Sequence, residues 1–317
     1  MSKFGNKIKK WPAVKAFSSL TKRITLPGFE KIPLHDVGLF FFKGLKHGAL
    51  NTRATSVSYY FFMAIFPSII FLFTLIPYVP IDNFQVGLFE QLRLLMPKAA
   101  FDEAESTIVE ILSKPHKGLL SLGFILTLYY STNGVNALIV AFNSTYHTVE
   151  TRSWIQTRLI ALLLVGITTI ILISGIVLLI YTENIFSRFF SNEKTLLYYL
   201  ILFGRWVILF AMFYFSVSSI FYYGPSKKNK WKFFSAGSML ATLLSILASV
   251  LFAYYVNHFG TYNKLYGSIG TLIMTMVWIY FNSFILLLGF ELNASIHSAK
   301  YHNGKEVDFS LLEKKDI

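Results

Sequence analysis

Six long apolar stretches, separated by polar segments, occupy most of this chain. They run over Ser56–Val79, Leu119–Ala141, Leu159–Tyr181, Leu196–Tyr222, Phe233–Val256 and Ser268–Asn293. Each can cross a hydrocarbon core of ~30 Å as a helix, which needs about 20 residues. Within them, Arg205 and Glu291 are the only Lys, Arg, Asp or Glu residues, whereas a soluble surface helix would carry a charged face. The pattern predicts an all-α polytopic membrane protein with six transmembrane helices.

Two amphipathic segments accompany these stretches. Between Leu34 and Leu50, apolar residues recur at near-helical spacing among basic ones, a pattern typical of a helix lying in the membrane interface. The longest loop, 80–117, combines helical apolar periodicity with acidic residues and is broken at Pro97. It predicts an outer helical hairpin between the first and second spans, which either caps the bundle or gates a cavity. The resulting units are a basic tail (1–32), a six-span membrane domain (33–296) and a C-terminal tail (297–317).

The net charge of +13 is unevenly distributed along the chain. Lys and Arg residues concentrate before the first span, at 152–158, at 227–232 and in the C-terminal tail, while the opposite loops hold half of the acidic residues. The positive-inside rule then places both termini in the cytoplasm. We expect membrane lipids as neighbours and allow for a partner protein or a homo-oligomer. Because topology accounts for the basic charge, we expect no nucleic acid partner.

Motifs of enzymatic chemistry are absent from the sequence. There is no cysteine, which excludes disulfides, thiolate metal sites and cysteine nucleophiles. No H-E-x-x-H pair, G-x-x-x-x-G-K-[ST] phosphate loop or G-x-S-x-G turn occurs. We therefore expect no catalytic residue, no metal and no cofactor. Without an ATP site, any transport would be passive, ion-coupled or driven by a partner.

Charged residues inside a bilayer are candidates for functional sites. Arg205 lies about ten residues into the fourth stretch, or ~15 Å at the helical rise. Its guanidinium either attracts an anionic headgroup or snorkels to an interface. Glu291 lies near the cytoplasmic end of the sixth stretch. There it either pairs with Arg53, Arg152 or a Lys of the 227–232 loop and holds the helix ends together, or takes part in a substrate path. The difference in depth argues against a direct salt bridge between Arg205 and Glu291.

Two stretches contain residues that interrupt a regular helix. Pro67 lies in the first stretch, where it removes a helix hydrogen bond. The second carries Asn133, Gly134 and Asn136 in close succession, and such polar backbone is tolerated in a membrane where protein or water meets it. These features predict a bundle with an internal cavity, with tight packing through small residues as the alternative.

Several short motifs follow one another in the order and spacing of a known family. They are Arg53-Ala54-Thr55-Ser56-Val57-Ser58-Tyr59-Tyr60 continuing to Phe66-Pro67, Ser131-Thr132-Asn133-Gly134-Val135-Asn136, Ala141-Phe142-Asn143-Ser144-Thr145-Tyr146, Tyr222-Tyr223-Gly224-Pro225, Tyr266-Gly267-Ser268-Ile269-Gly270, Trp278-Ile279-Tyr280 and Leu288-Gly289-Phe290-Glu291-Leu292-Asn293-Ala294. Over roughly residues 35–300 the chain resembles the YihY/BrkB family of bacterial inner-membrane proteins. Members of that family commonly have Ala where this chain has Phe290.

The resemblance implies a six-span fold in the bacterial inner membrane. Names in the family include a serum-resistance factor and a ribonuclease BN label, and some members are linked to movement of lipid-like molecules. The expected function is transport or transbilayer handling of an anionic, lipid-like amphiphile. The alternative is a non-transporting scaffold that binds a partner protein. A polar cavity open sideways to the bilayer would favour the first function, and a filled bundle would favour the second.

Specific residues are assigned to these roles. Substrate contact is predicted for Arg205, Asn133, Asn136 and Tyr59. A structural or gating role is predicted for Arg53, Pro67, Gly134, Arg152, Pro225, Gly267, Glu291 and Asn293.

Overall fold

The computed structural model describes most of the membrane domain. The described residues are 21–22, 24–25, 28–30, 32–47, 49–75, 77, 109, 117–145, 150–189, 196–226, 232–258 and 261–302. Most of the predicted outer hairpin, the start of the basic tail and the end of the C-terminal tail lie outside these residues.

The described residues form seven helices and no strand. The helices are α1 (Leu34–His47), α2 (Leu50–Leu75), α3 (Lys117–Thr145), α4 (Trp154–Phe189), α5 (Leu196–Tyr223), α6 (Ala236–His258) and α7 (Thr261–His302). Six of them, α2 to α7, are long and apolar enough to cross a membrane. The prediction of an all-α polytopic membrane protein with six spans is confirmed.

The helices begin earlier or end later than the apolar stretches predicted. Helix α2 begins at Leu50, so that Arg53 lies inside it, and α4 begins at Trp154, so that Arg158 lies inside it. The predicted stretches begin after these arginines because a charged residue lowers the mean hydropathy of a segment. A long Arg side chain can nevertheless place its charged end away from lipid while its stem follows the helix.

Helices α2 and α3 pack along each other, as do α6 and α7. Helix α7 also contacts α1 and α2, and α5 packs on α4. We call one end of the bundle the basic end: α2, α4 and α6 begin there, and α3, α5 and α7 end there. Large apolar side chains on α4, α5 and α6 remain exposed on the outer surface, as expected for helices that face lipid.

Three phenylalanines form the centre of the core toward the basic end. Phe142 of α3 stacks on Phe290 of α7 with ring centroids 4.0 Å apart. Phe221 of α5 meets Phe142 and Phe290 edge-on, each with a centroid distance of 5.5 Å. All three side chains are fully buried. Phe290 therefore supplies the ring that joins α7 to α3 and α5.

Pro67 and Gly134, which the sequence predicts to interrupt a regular helix, occupy packed positions. Helix α2 continues through Pro67, which is buried. A Cβ atom at Gly134 would lie 2.9 Å from the ring of Phe61, so glycine lets α3 approach α2 there. Pro225 is buried directly after the end of α5, and Gly267 lies within α7.

Candidate functional site

A polar cleft of about 260 Å³ lies between α2 and α3. It is lined by Arg53, Ser56, Tyr60, Asn133, Asn136, Ala137, Val140, Ala141 and Ser144. Most of these side chains carry hydrogen-bonding groups, although both helices are otherwise strongly apolar. An ionisable residue beside such polar groups marks a candidate substrate path, whereas Ser and Asn alone also serve in packing between membrane helices.

The cleft extends from the basic end toward the middle of the bundle. Arg53 lies in the first turn of α2, and Ser144 lies in the last turn of α3. Asn133 lies deeper, ~18 Å from the end of α3 at the helical rise. The cleft is also open at the surface of the bundle, because Ser56 is exposed and the lining residue Val140 is 54% exposed.

Arg53 connects this cleft to the buried carboxylate of Glu291. Its Nη1 donates a hydrogen bond to Oγ1 of Thr145 at 3.4 Å. The Thr145 hydroxyl is in turn within hydrogen-bonding reach of the Glu291 carboxylate, and Arg53 attracts that carboxylate electrostatically. Glu291 is only 5% exposed. Arg53 thus lies between the α2–α3 cleft and Glu291, the buried acid of α7.

Gly44 of α1 makes room for this carboxylate. A Cβ atom at position 44 would overlap Oε1 of Glu291. Any other residue at this position would displace the carboxylate from Arg53 and Thr145. The backbone of α1 at Gly44 therefore packs directly against the Glu291 carboxylate.

A second polar network joins the ends of α3 and α5 to the start of α4. Arg152 pairs with Glu150 through Nε and Nη2, each at 2.8 Å, and Nη2 also donates to the carbonyl of Gly224 at 2.8 Å. Asn143 donates to Glu150 at 2.7 Å and accepts from the backbone N–H of Ser226 at 2.9 Å. The hydrogen bonds from Arg152 hold the pKa of Glu150 below its ordinary value. Arg152 thus fixes the loop before α4 and does not reach Glu291.

Asn293 caps the first turn of α6. Its Oδ1 accepts a hydrogen bond from the backbone N–H of Gly237 at 2.8 Å, and its Nδ2 donates to Oγ of Ser235 at 2.8 Å. The first amide groups of a helix have no partner within the helix. A side chain from α7 therefore supplies one partner that α6 lacks.

Two residues predicted to contact substrate lie away from the cleft lining. Arg205 places its guanidinium over the ring of Trp206, 5.7 Å from the centroid. Tyr59 is 47% exposed and contacts Tyr60 edge-on; its neighbour Tyr60 lines the cleft. Successive helical residues point about 100° apart, so a Tyr-Tyr pair does not reveal from sequence which ring faces the neighbouring helix.

Most of the length of this sequence matches a known protein family. The family of the virulence factor BrkB matches residues 41–308. The chain belongs to the BrkB family. This match includes all six spans, the cleft and the Arg53–Thr145–Glu291 group.

Relatives of this BrkB-family chain carry membrane or ribonuclease-like names. A ribonuclease-like protein of Bacillus subtilis, YfkH, is 31% identical over 79% of this chain and 91% of its own length. A UPF0761 membrane protein of Haemophilus influenzae is 26% identical over 84% of this chain and 96% of the relative. Another UPF0761 membrane protein, from Tolumonas auensis, is 24% identical over 81% of this chain and 84% of the relative. No solved structure matches this chain. The family, the membrane-protein relatives and the six apolar helices together show that this is a multi-pass bacterial membrane protein.

A second cavity of about 390 Å³ lies at the basic end of the BrkB-family bundle. Its lining residues are Gly28, Glu30, Lys232, Phe234, Ser235, Ala236, Asn293, Ile296, His297 and Lys300. Glu30 forms an ion pair with Lys300 across it. Phe29 and Ile32 are buried next to Ile296 and Ala299. The segment before α1 is thereby fixed to the end of α7.

Several residues of the BrkB-family site were missed by sequence reasoning. Asn143 and Thr145 lie in the Ala141–Tyr146 motif, so that motif was a usable signal for both. Gly44 and Glu150 had no such signal, because their roles depend on which side chains the fold brings against them. Within the described part of the chain, no group of three or more His, Asp or Glu residues could hold a metal ion.

Proposed function

We propose that this protein binds an anionic, lipid-like amphiphile in the cleft between α2 and α3 and moves it across the bacterial inner membrane. The observation that carries the proposal is the cleft itself. It places Arg53 at the basic end and two asparagines deeper between two apolar helices, and it is open at the surface of the bundle, which we expect to face lipid. The function proposed is transport and not catalysis.

The chemistry of the cleft fits such a molecule. The planar guanidinium of Arg53 suits the oxygens of a phosphate or carboxylate headgroup, with which it can form two parallel hydrogen bonds. The amides of Asn133 and Asn136 offer both donors and acceptors for the glycerol or ester region. Ala137 and Val140 line the same cleft, so acyl chains can leave it sideways into the bilayer.

The orientation follows from charge. In the sequence, basic residues precede α2, flank the start of α4 and precede α6, and these three helices begin at the basic end of the bundle. We place this end, with both termini, in the cytoplasm. Arg53 then lies where a cytoplasmic-leaflet headgroup would enter, and Asn133 lies nearer to the middle of the bilayer.

Transbilayer movement in proteoliposomes tests this proposal. Vesicles of phosphatidylcholine would carry a fluorescent phosphatidylglycerol, and external dithionite would bleach the probe in the outer leaflet. Parent protein should allow the inner-leaflet probe to be bleached faster than in protein-free vesicles. Asn136→Leu should slow bleaching, since it replaces a cleft amide by an apolar side chain.

Asn282→Leu is the matched control for this experiment. Asn282 is also a span asparagine, but it bonds to the carbonyl of Trp278 on its own helix and does not line the cleft. This variant should bleach like the parent. Vesicles with parent protein that bleach like protein-free vesicles would instead favour the scaffold that binds a partner and moves nothing.

A further inference from the structure

We propose that Glu291 is an internal competitor for the bound anion, so that anion binding at Arg53 is accompanied by uptake of one proton at Glu291. This inference rests on the proposed function and adds a proton-coupled step to it. The proton comes from water at the basic end and forms an O–H bond on the Glu291 carboxylate.

The geometry gives Arg53 two alternative partners. On one side, Arg53 lines the α2–α3 cleft, where an external anion would bind. On the other side, Arg53 donates to Thr145 and attracts Glu291. An anion that draws the guanidinium into the cleft weakens both internal contacts. The two anions therefore compete for one cation.

A buried carboxylate that loses its cation is costly to keep ionised. Desolvation disfavours the charged form of an acid, and a nearby cation offsets that effect. Removing one member of a buried pair leaves the other uncompensated, which is strongly destabilising. Glu291 is 5% exposed, and so it should become protonated when the anion takes Arg53. The neutral acid can then donate to the Thr145 hydroxyl.

Among the side chains that the structure describes on the other helices around Glu291, none carries a charge that acts on Glu291 in place of Arg53. Helix α1 presents the bare backbone of Gly44, and its neighbour Lys43 is exposed. Helix α3 presents the Thr145 hydroxyl. Helix α6 has no Asp, Glu, Lys or Arg between Ala236 and Asn257. Among the described residues, the charge that acts on Glu291 therefore comes from Arg53.

The direction of the pH dependence follows. At low pH Glu291 is neutral, Arg53 is available and the anion binds tightly. At high pH the Glu291 carboxylate competes, so the affinity falls. One linked proton changes the affinity by up to ~10-fold per pH unit. Glu291→Gln mimics the neutral acid, and it should bind the anion tightly at every pH.

Binding of spin-labelled lipid to the full-length protein in phosphatidylcholine nanodiscs tests this inference. The probe is spin-labelled phosphatidylglycerol, and the reference is spin-labelled phosphatidylcholine. Phosphatidylglycerol is suitable because its phosphodiester lacks the second ionisation of a phosphomonoester near pH ~6. The measured quantity is the preference for phosphatidylglycerol among motionally restricted lipids as the pH is raised.

Four variants separate the possible outcomes. Parent protein should lose the preference as the pH rises, and Glu291→Gln should retain it. Arg53→Gln should have little preference at any pH. Glu30→Gln, which removes a carboxylate paired with Lys300 outside the cleft, should follow the parent. Thr145→Val should flatten the pH dependence by removing the hydroxyl between Arg53 and Glu291, and it provides a second test if Glu291→Gln folds poorly.

The contradicting results distinguish the inference from the proposed function. A preference that depends on Arg53 but is the same at all pH values, with Glu291→Gln equal to the parent, overturns the inference and leaves the proposed function standing. A parent protein with no preference for phosphatidylglycerol at any pH overturns the headgroup site and the inference together.

Discussion

Gly237 and Gly289 bring α6 and α7 into backbone contact. A Cβ atom at Gly289 would lie 2.5 Å from the carbonyl oxygen of Gly237 and 2.7 Å from Cβ of Ala241. Small residues at such crossings let membrane helices approach closely, and the van der Waals contact that follows is one of the terms that drive their association. The same crossing brings Asn293 to the first turn of α6, so the glycine pair also positions the cap.

Gly237→Ala should lower the thermal stability of the protein in detergent. The added methyl group would overlap the backbone of Gly289, and backbone cannot rotate away as a side chain can. Overpacking of this kind typically costs about 1–3 kcal/mol. Gly204→Ala on α5 is the matched control, because nothing lies within 4 Å of its added Cβ. The control should melt at or above the parent temperature; equal melting of the two variants would contradict the close crossing.

Asn293→Ala should also destabilise the protein. It removes the acceptor of the Gly237 N–H and the donor to Ser235, and a buried group that loses its partner costs about 1–3 kcal/mol. Asn293→Asp keeps the acceptor and loses the donor, so its melting temperature should lie between those of the parent and Asn293→Ala. The melting temperatures of the three proteins in one detergent check this order. A parental melting temperature for Asn293→Ala would show that α6 needs no cap from α7.

The Glu150–Arg152 pair should make stability fall at acidic pH. The pKa of Glu150 is held below its ordinary value of 4.5, chiefly by the hydrogen bond from Arg152. Stabilisation by a carboxylate with a lowered pKa is present above the ordinary pKa and is lost as the pH falls through the lowered one. Glu150→Gln should therefore lose stability at neutral pH and show a smaller further loss on acidification. Melting curves from neutral pH to below 4.5 measure this difference, and parallel curves for parent and variant would contradict it.

The topology can be tested with the cysteine-free chain. A single cysteine placed at Ser2 or at Asn229 should react with an impermeant maleimide from the cytoplasmic side. The reason is the concentration of Lys and Arg residues at the basic end. Inverted and right-side-out vesicles separate the two sides. Labelling of either position from the outer side would contradict the proposed orientation.

The six spans could be predicted from sequence because their signal is local. An apolar stretch of membrane length has few alternatives, whatever its neighbours are. The helix ends were less accurate because Arg53 and Arg158 interrupted the apolar pattern without ending the helices. Hydropathy does not register that a long side chain can carry its charge past the end of an apolar segment.

The candidate site was only partly accessible from sequence. Asn133 and Asn136 drew attention because amides are unusual in a span, and the structure places both in the cleft. Gly44 could not be identified from the sequence, because its role depends on the packing of α1 against Glu291. Contacts between residues so distant in the chain depend on helix packing, and a single sequence does not encode them in any local pattern.

The central claim is that the α2–α3 cleft is the path of the amphiphile. Blocking the cleft with a covalent label tests it most directly. Ser56→Cys introduces a thiol into the lining of the cleft, and Ser56 is exposed and thus reachable. Ile173→Cys introduces one on α4, where Ile173 is 54% exposed and outside the cleft. Both proteins should be labelled to completion with a bulky maleimide before reconstitution with fluorescent phosphatidylglycerol.

The decisive measurement is the rate of dithionite bleaching of the inner-leaflet probe before and after labelling. We predict that the label reduces this rate to that of protein-free vesicles in Ser56→Cys and leaves the rate unchanged in Ile173→Cys. A fully labelled Ser56→Cys protein that still moves the probe at the unlabelled rate would contradict the claim that the amphiphile passes through this cleft.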